Sequence, residues 1–252
     1  MTIFGLLGFP LGHSFSKAYF TEKFNTGDID AEFVNFESDN LEQILETIKN
    51  IPSLQGFAVT IPYKEKIIPY LNYISDEAKA IGAVNSVKVE HSLSGTILTG
   101  YNTDVLGFKE SLSQFMPFIP AQALLLGTGG ASKAVRYALT TLGTKVITVS
   151  RTPHSPFEIA YEQIASIIAN SPLIVNATPV GMWPHVENCP DIPYHLLTSS
   201  HYLFDLIYNP QETEFMKRGS QQGAHVHNGL QMLYLQADYS WQLWNATDSY
   251  VL

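Results

Sequence analysis

Short apolar runs alternate with amphipathic stretches along most of the chain, the pattern of strands interleaved with helices. Strands are predicted over residues 3–8, 31–36 and 56–61, and helices over 16–24, 41–48 and from Pro62 onward. Residues 83–89 and 96–100 read as two strands joined by a polar turn around His91 and Ser94. A helix over about 104–115 leads to an apolar strand ending at Leu126, a glycine turn, a helix rich in Ala and Leu, and a second strand over 145–149. Further strands are predicted over 173–177, 202–206 and 224–226, with a helix over 213–218 between the last two. The final helix, over 230–244, carries Leu230, Leu233, Tyr234, Ala237, Trp241 and Trp244 at helical spacing, a stripe expected to face a core. Such alternation implies mostly parallel sheets covered by helices on both faces.

The glycine turn is the sharpest chemical signal. Gly127-Thr128-Gly129-Gly130-Ala131 lies between strand and helix, where the backbone must turn tightly and admit phosphate oxygens closer than a Cβ would permit. It lacks the third glycine of G-x-G-x-x-G, and Ala134 supplies a small residue slightly later. About twenty positions on, where NAD-binding chains place a carboxylate for the ribose 2′-hydroxyl, stands Arg151 between Ser150 and Thr152. An arginine there accommodates a 2′-phosphate, which points to NADP.

Composition narrows the partners. The 252 residues suffice for one large or two modest domains, with 45% hydrophobic residues to fill them. A net charge of −9, from 14 basic and 23 acidic residues, disfavours nucleic acid and anionic membranes. Cys189 is the single cysteine, so an internal disulfide is excluded and a reducing, cytoplasmic setting is expected. The apolar start has no basic residue before it and is broken by Pro10 and Gly12, so it reads as a strand and not a signal peptide; no apolar stretch reaches membrane-spanning length. His225 and His227 would share a face of a strand, but the histidines show no metal-site spacing, and no metal is expected.

Lys64 and Asp104 are the candidate acid–base residues. Lys64 falls in the first turn of the helix expected at Pro62, where the dipole and partial burial would lower its pKa; a surface lysine is the alternative. Asp104 opens a helix, where Asn102, Thr103 and Asp104 are also ordinary capping residues; a carboxylate facing Lys64 would order its ammonium. Ser14 and Ser16 place hydroxyls between the first strand and helix, suited to capping or to a small carboxylate or polyol.

Taken in order, a set of segments resembles the shikimate dehydrogenase family over nearly the whole chain: residues 8–16 (GFPLGHSFS), 59–64 (VTIPYK), 81–85 (IGAVN), 100–104 (GYNTD), 127–131 (GTGGA), 150–152 (SRT), 176–182 (NATPVGM), 205–210 (DLIYNP) and 228–236 (NGLQMLYLQ). The resemblance implies a reversible, NADP-dependent reduction of 3-dehydroshikimate to shikimate, with Lys64 and Asp104 as the catalytic pair. It also implies that Ser14 and Ser16 bind the substrate carboxylate, and that Thr60, Asn85, Tyr208 and Gln236 surround the ring. The nicotinamide would lie against residues 176–182, including Asn176, Thr178, Gly181 and Met182, and against Gly229. An α/β fold is implied: a mixed, mostly parallel substrate domain over 1–103, rejoined by 229–252, and a Rossmann-type NADP-binding domain over 104–228. The protein is expected to act on a small molecule as a monomer or homodimer. Lys17, Ala58, Ser86 and Thr128 depart from the family's usual residues, which leaves open a quinate/shikimate dehydrogenase with broader cofactor use. A non-catalytic ligand-binding regulator on the same fold is the third reading.

Overall fold

Alternating burial along the apolar runs builds two separate sheets. The structure, a computed structural model, describes residues 1–12, 15–93 and 95–246. The chain divides into two units, one of Met1–Thr103 with Ala237–Leu252 and the other of Asp104–Gln236.

The first unit runs β1 (Thr2–Gly8), α1 (Phe15–Thr26), β2 (Ala31–Glu37), α2 (Leu41–Lys49), β3 (Leu54–Val59), β4 (Tyr73–Ile74), α3 (Asp76–Ile81), β5 (Ser86–Ser92) and β6 (Gly95–Tyr101). Its six-stranded sheet has the order β2-β1-β3-β5-β6-β4. β1 lies parallel to β2 and β3, whereas β5 is antiparallel to both β3 and β6. Period-two alternation sends Phe4 and Leu6 to one face, among Phe20, Phe24, Phe33 and Trp244, and Leu7 to the other, among Leu45, Ile48 and Phe57. The aromatic face is closely fitted: Phe20 stacks on Phe33 at 4.7 Å and Phe4 on Trp244 at 5.4 Å.

The second unit runs α4 (Asp104–Phe115), β7 (Gln122–Leu126), α5 (Gly130–Thr141), β8 (Lys145–Val149), β9 (Glu158–Ile159), β10 (Leu173–Asn176), β11 (Tyr202–Asp205), α6 (Glu214–Gln221), β12 (His225–His227) and the start of α7 (Leu230–Asn245). Every strand pairing here is parallel, in the order β12-β11-β10-β7-β8-β9. Counted from β7, that is the 3-2-1-4-5-6 order of a doubly wound dinucleotide fold, with β7 and β10 flanking the point where strand order reverses. β7, β10 and β11 are buried on both faces, which explains their unbroken apolar runs.

Three expectations change. No helix starts at Pro62: residues 60–67 form turns, because the Lys64 carbonyl accepts Val84 N–H (2.7 Å) while Ile68 N–H turns to Glu65 (3.3 Å). The ladder bond a helix would need is spent across the fold. Tyr234 is 42% exposed, so the buried side of α7 keeps Ala237 and Trp244 of the expected stripe, with Trp241 packed beside them, and adds Met232, Ser240 and Leu243. The strand expected from residue 83 begins at Ser86, since Asn85 uses its backbone at the junction described below.

Among the described residues no helix is long and apolar enough to cross a membrane. Gly56 of β3 is required by packing, since a Cβ there would overlap the Trp244 indole, which is 3% exposed. Gly56→Ala is expected to destabilise the protein by about 1–3 kcal/mol, as over-packing does. Equilibrium urea unfolding checks this through a lowered midpoint.

Candidate active site

In the first unit, β1 and β3 end side by side, and antiparallel β5 starts where β3 ends, with Ala58 opposite Ser86 and Ser86 opposite Tyr101. Thr60, Lys64, Asn85 and the segment leading to Asp104 therefore leave from one end of one sheet. Thr60 N–H donates to Leu7 O (2.9 Å) and its carbonyl accepts Tyr63 N–H (2.8 Å), which pins the turn carrying Lys64. Tyr63 is buried and its hydroxyl donates to Ser38 O (2.6 Å). Lys64 is half-buried, and no helix begins at Pro62 to supply the dipole expected there.

Asn85, 2% exposed, braces this end. Its carbonyl accepts Val59 N–H (2.7 Å) and its own N–H donates to Tyr101 O (3.0 Å). Its side-chain oxygen accepts Thr103 N–H (2.7 Å), and its Nδ2 donates to Thr103 Oγ1 (3.0 Å), which also meets Ser240 Oγ (2.9 Å). Thr103 thus spends its hydroxyl on tertiary partners, and Asp104 follows as the first residue of α4, 5% exposed. A carboxylate there is favoured by the helix dipole. Ser16 is the second residue of α1 and half-buried; Ser14 lies outside the described residues.

In the second unit, the other candidates line the carboxyl ends of the parallel strands, the ligand-binding edge of such sheets. Gly127 follows β7 with φ +105°, a backbone region open to glycine, and its missing Cβ faces Thr178 Cγ2 and the Ala177 carbonyl. Thr128 continues the turn; Gly129 is the N-cap of α5, without a side-chain cap bond and with open space where a Cβ would be, and Gly130 and Ala131 open the helix. A helix start with glycine at its N-cap and first position and no acidic residue in its first turn suits a phosphate. After β8, Ser150 Oγ accepts Thr152 N–H (3.2 Å) and Arg151 is exposed.

At the end of β10, Asn176 is wholly buried. Its Oδ1 accepts Thr178 N–H (3.1 Å) and Oγ1–H (2.6 Å), and its Nδ2 donates to Asp205 Oδ1 (3.0 Å). Asn176 therefore shapes the loop that holds Thr178, Gly181 and the exposed Met182. Half-buried Tyr208 follows β11, and burial pushes its phenol above the usual range. Gly229 N–H donates to Ile207 O (3.0 Å), and a Cβ there would overlap the Leu206 carbonyl. Gln236, in α7, donates to Leu233 O (2.9 Å).

The sequence reading did not single out Asp205 or Thr213. Both are fully buried; Thr213 Oγ1–H donates to Asp205 (2.6 Å), and burial raises the Asp205 carboxyl to about 6 despite its hydrogen bonds. Their signal was an acidic residue ending an apolar strand with a threonine eight positions on. His227 stacks on Phe115 at 4.9 Å and meets Ser111 Oγ at 3.1 Å, and burial lowers its pKa, a packing role. Among the described residues no group of His, Cys, Asp or Glu could hold a metal ion.

Known proteins share this architecture and these motifs. A profile for the shikimate dehydrogenase substrate binding domain matches residues 6–87. The shikimate dehydrogenase (NADP(+)) of Aquifex aeolicus is 36% identical over 258 residues, 98% of this chain and 92% of that protein. A crystal structure of shikimate 5-dehydrogenase from Thermus thermophilus in complex with NADP(H) and shikimate superposes with a TM-score of 0.83 at 32% identity, covering 97% of this chain and 94% of that one. Quinate dehydrogenase from Corynebacterium glutamicum in complex with NAD superposes with a TM-score of 0.85 at 26% identity, covering 97% and 93%. With curated relatives above a third identical along almost its full length, and with the braced sheet end and glycine turn the motifs require, this chain belongs to the shikimate dehydrogenase family.

Proposed function

We propose that the protein catalyses the reversible NADP-dependent reduction of 3-dehydroshikimate to shikimate, with Lys64 as proton donor and Asp104 as the carboxylate that positions it. The observation that carries this reading is the common departure of Thr60, Lys64 and Asn85 from one sheet end, with Asp104 fixed one residue beyond the clamped Thr103. The cofactor supplies the hydride. When the ketone is reduced its oxygen gains charge, and the Lys64 ammonium delivers a proton there; in the reverse direction the neutral amine takes it back. Ser14 and Ser16 hold the ring carboxylate by hydroxyl donation, while Thr60, Asn85, Tyr208 and Gln236 hold the ring hydroxyls and orient the carbonyl.

The residues of the second unit suit NADP. The bare N-terminus of α5 offers backbone N–H groups to the pyrophosphate, and exposed Arg151 with its neighbouring hydroxyls offers a planar, doubly donating cation to the 2′-phosphate. Thr178, Gly181, Met182 and Gly229 border the nicotinamide, and the fully buried Asn176 holds that loop.

Two of the family departures sit where they have little to do with substrate choice. Ala58 packs in the aromatic core and Ser86 is fully buried within β5, in register with each other. Neither position therefore argues for quinate as substrate. Assay of the purified protein with shikimate and quinate, each with NADP and NAD, is expected to give activity with shikimate and NADP well above the other combinations; quinate turnover of equal efficiency would favour the broader enzyme, and no turnover at all the regulator.

Lys64→Ala is expected to lower kcat by roughly 10²–10⁴-fold, the range for losing a general acid, with an unchanged melting temperature. Near-normal turnover would remove Lys64 from the chemistry. Arg151→Ala is expected to raise the KM for NADP by roughly tenfold to a hundredfold, as loss of charge-assisted bonds does, with little change for NAD. Equal losses for both cofactors in steady-state kinetics would show that Arg151 does not read the 2′-phosphate.

A further inference from the structure

Asp205 is the last residue of β11 and is fully buried. Three donors converge on its carboxylate: Asn176 Nδ2 (3.0 Å), Ile207 N (3.1 Å) and Thr213 Oγ1 (2.6 Å). All three are neutral, and burial outweighs them in setting the pKa of the group. A buried carboxylate held by neutral donors is a costly choice where an apolar residue could fill the space. Its geometry explains what the cost secures.

The two ends of the Asn176 amide have nearly the same shape, so packing alone does not decide which faces the loop. A carboxylate accepts and cannot donate. Placed on one side of Asn176, it takes one hydrogen of Nδ2, whose other hydrogen reaches Val180 O at 3.5 Å, and leaves Oδ1 to face Thr178. There Oδ1 accepts both Thr178 N–H (3.1 Å) and Thr178 Oγ1–H (2.6 Å), and Thr178 Oγ1 in turn accepts Val180 N–H (3.2 Å). Thr213 anchors the other side, since its hydroxyl oxygen caps α6 by accepting Met216 N–H (3.4 Å) while its proton goes to Asp205. The bond from Ile207 N–H fixes the turn after β11, whose Ile207 carbonyl accepts Gly229 N–H (3.0 Å). The ends of β10, β11 and β12 are thus tied to one carboxylate.

We infer that Asp205 is a positioning residue for cofactor binding: by orienting the Asn176 amide and clamping the turn at Ile207, it holds the loop of residues 177–182 and Gly229 in the shape that receives the nicotinamide. This rests on the assignment of that loop to the cofactor in the proposed function.

The test compares Asp205→Ala, which removes every acceptor, with Asp205→Asn, whose oxygen still accepts from Asn176 and Ile207 and whose amide can donate to Thr213 Oγ1. NADPH affinity is read by fluorescence titration, shikimate affinity by calorimetry and folding by thermal melting. Asp205→Ala is expected to weaken NADPH binding roughly tenfold or more, as a displaced binding loop does, while shikimate, held mainly by the first unit, loses less than about threefold. Asp205→Asn is expected to restore NADPH affinity to within about threefold of wild type, as its retained acceptor keeps the network. If Asp205→Ala does not fold, Thr213→Val replaces it and should show a smaller loss in the same direction. Unchanged NADPH affinity in the folded variant, or equal losses for NADPH and shikimate, would overturn the inference. Failure of the wild type to bind NADPH would instead overturn the proposed function, and is read before any variant is compared.

Discussion

The amide of Asn85 is the constraint on which the substrate side depends. Parallel β1 and β3 would leave their last backbone groups without partners where the sheet stops, and the antiparallel turn from β5 to β6 brings the chain back to the same edge. Asn85 closes that edge with both backbone groups, bonded to Val59 and Tyr101, and with its side chain, bonded to Thr103. Val84, one residue earlier, takes the Lys64 carbonyl. Two adjacent residues thereby fix the backbone beneath one candidate catalytic group and just ahead of the other. A buried amide does this well because each of its polar atoms must find a partner, so its neighbours are held to one arrangement.

The second unit solves a related problem with a parallel sheet. All its strands end at the same edge, so every loop there competes for the space above β7 and β10. Glycine at 127 lets the chain reverse at once and leaves room for the Ala177–Thr178 step to pack against it. The next loops cannot be held by ladder bonds, because the strands have ended. Side chains replace them: Asn176, Thr178, Thr213 and Asp205 form a connected set of hydrogen bonds below the loop surface. The polar groups inside this unit are therefore framework for an edge that must remain open to a ligand.

Much of this was legible from pattern. β1, α1, β2, α2, α4 and α7 lie within a few residues of their expected bounds, and α2 does so with Leu41, Leu45 and Ile48 buried on one face. The glycine turn was legible for the same local reason. The segment after Ile61 was not: proline, lysine and glutamate there suit a helix start, but Val84 draws off the carbonyl a helix would use, and that partner lies twenty residues away in the chain. Short β4 and β9 escaped notice because two residues carry no period. The full burial of the Asn176 side chain and its bonds to Thr178 and Asp205 are likewise outcomes that no spacing rule encodes.

The sequence by itself determined the class of fold, the site of the glycine turn and the identity of the candidate lysine, aspartate and arginine. These depend on local backbone preference and on residue chemistry, which neighbours in the chain express. Tertiary structure alone decided the strand order, the burial of Asp205 and Asn176, and the gathering of Thr60, Lys64 and Asn85 at one sheet edge. Those outcomes depend on which distant backbone and side-chain groups find each other once water is excluded, and a buried donor accepts whichever partner the whole fold presents.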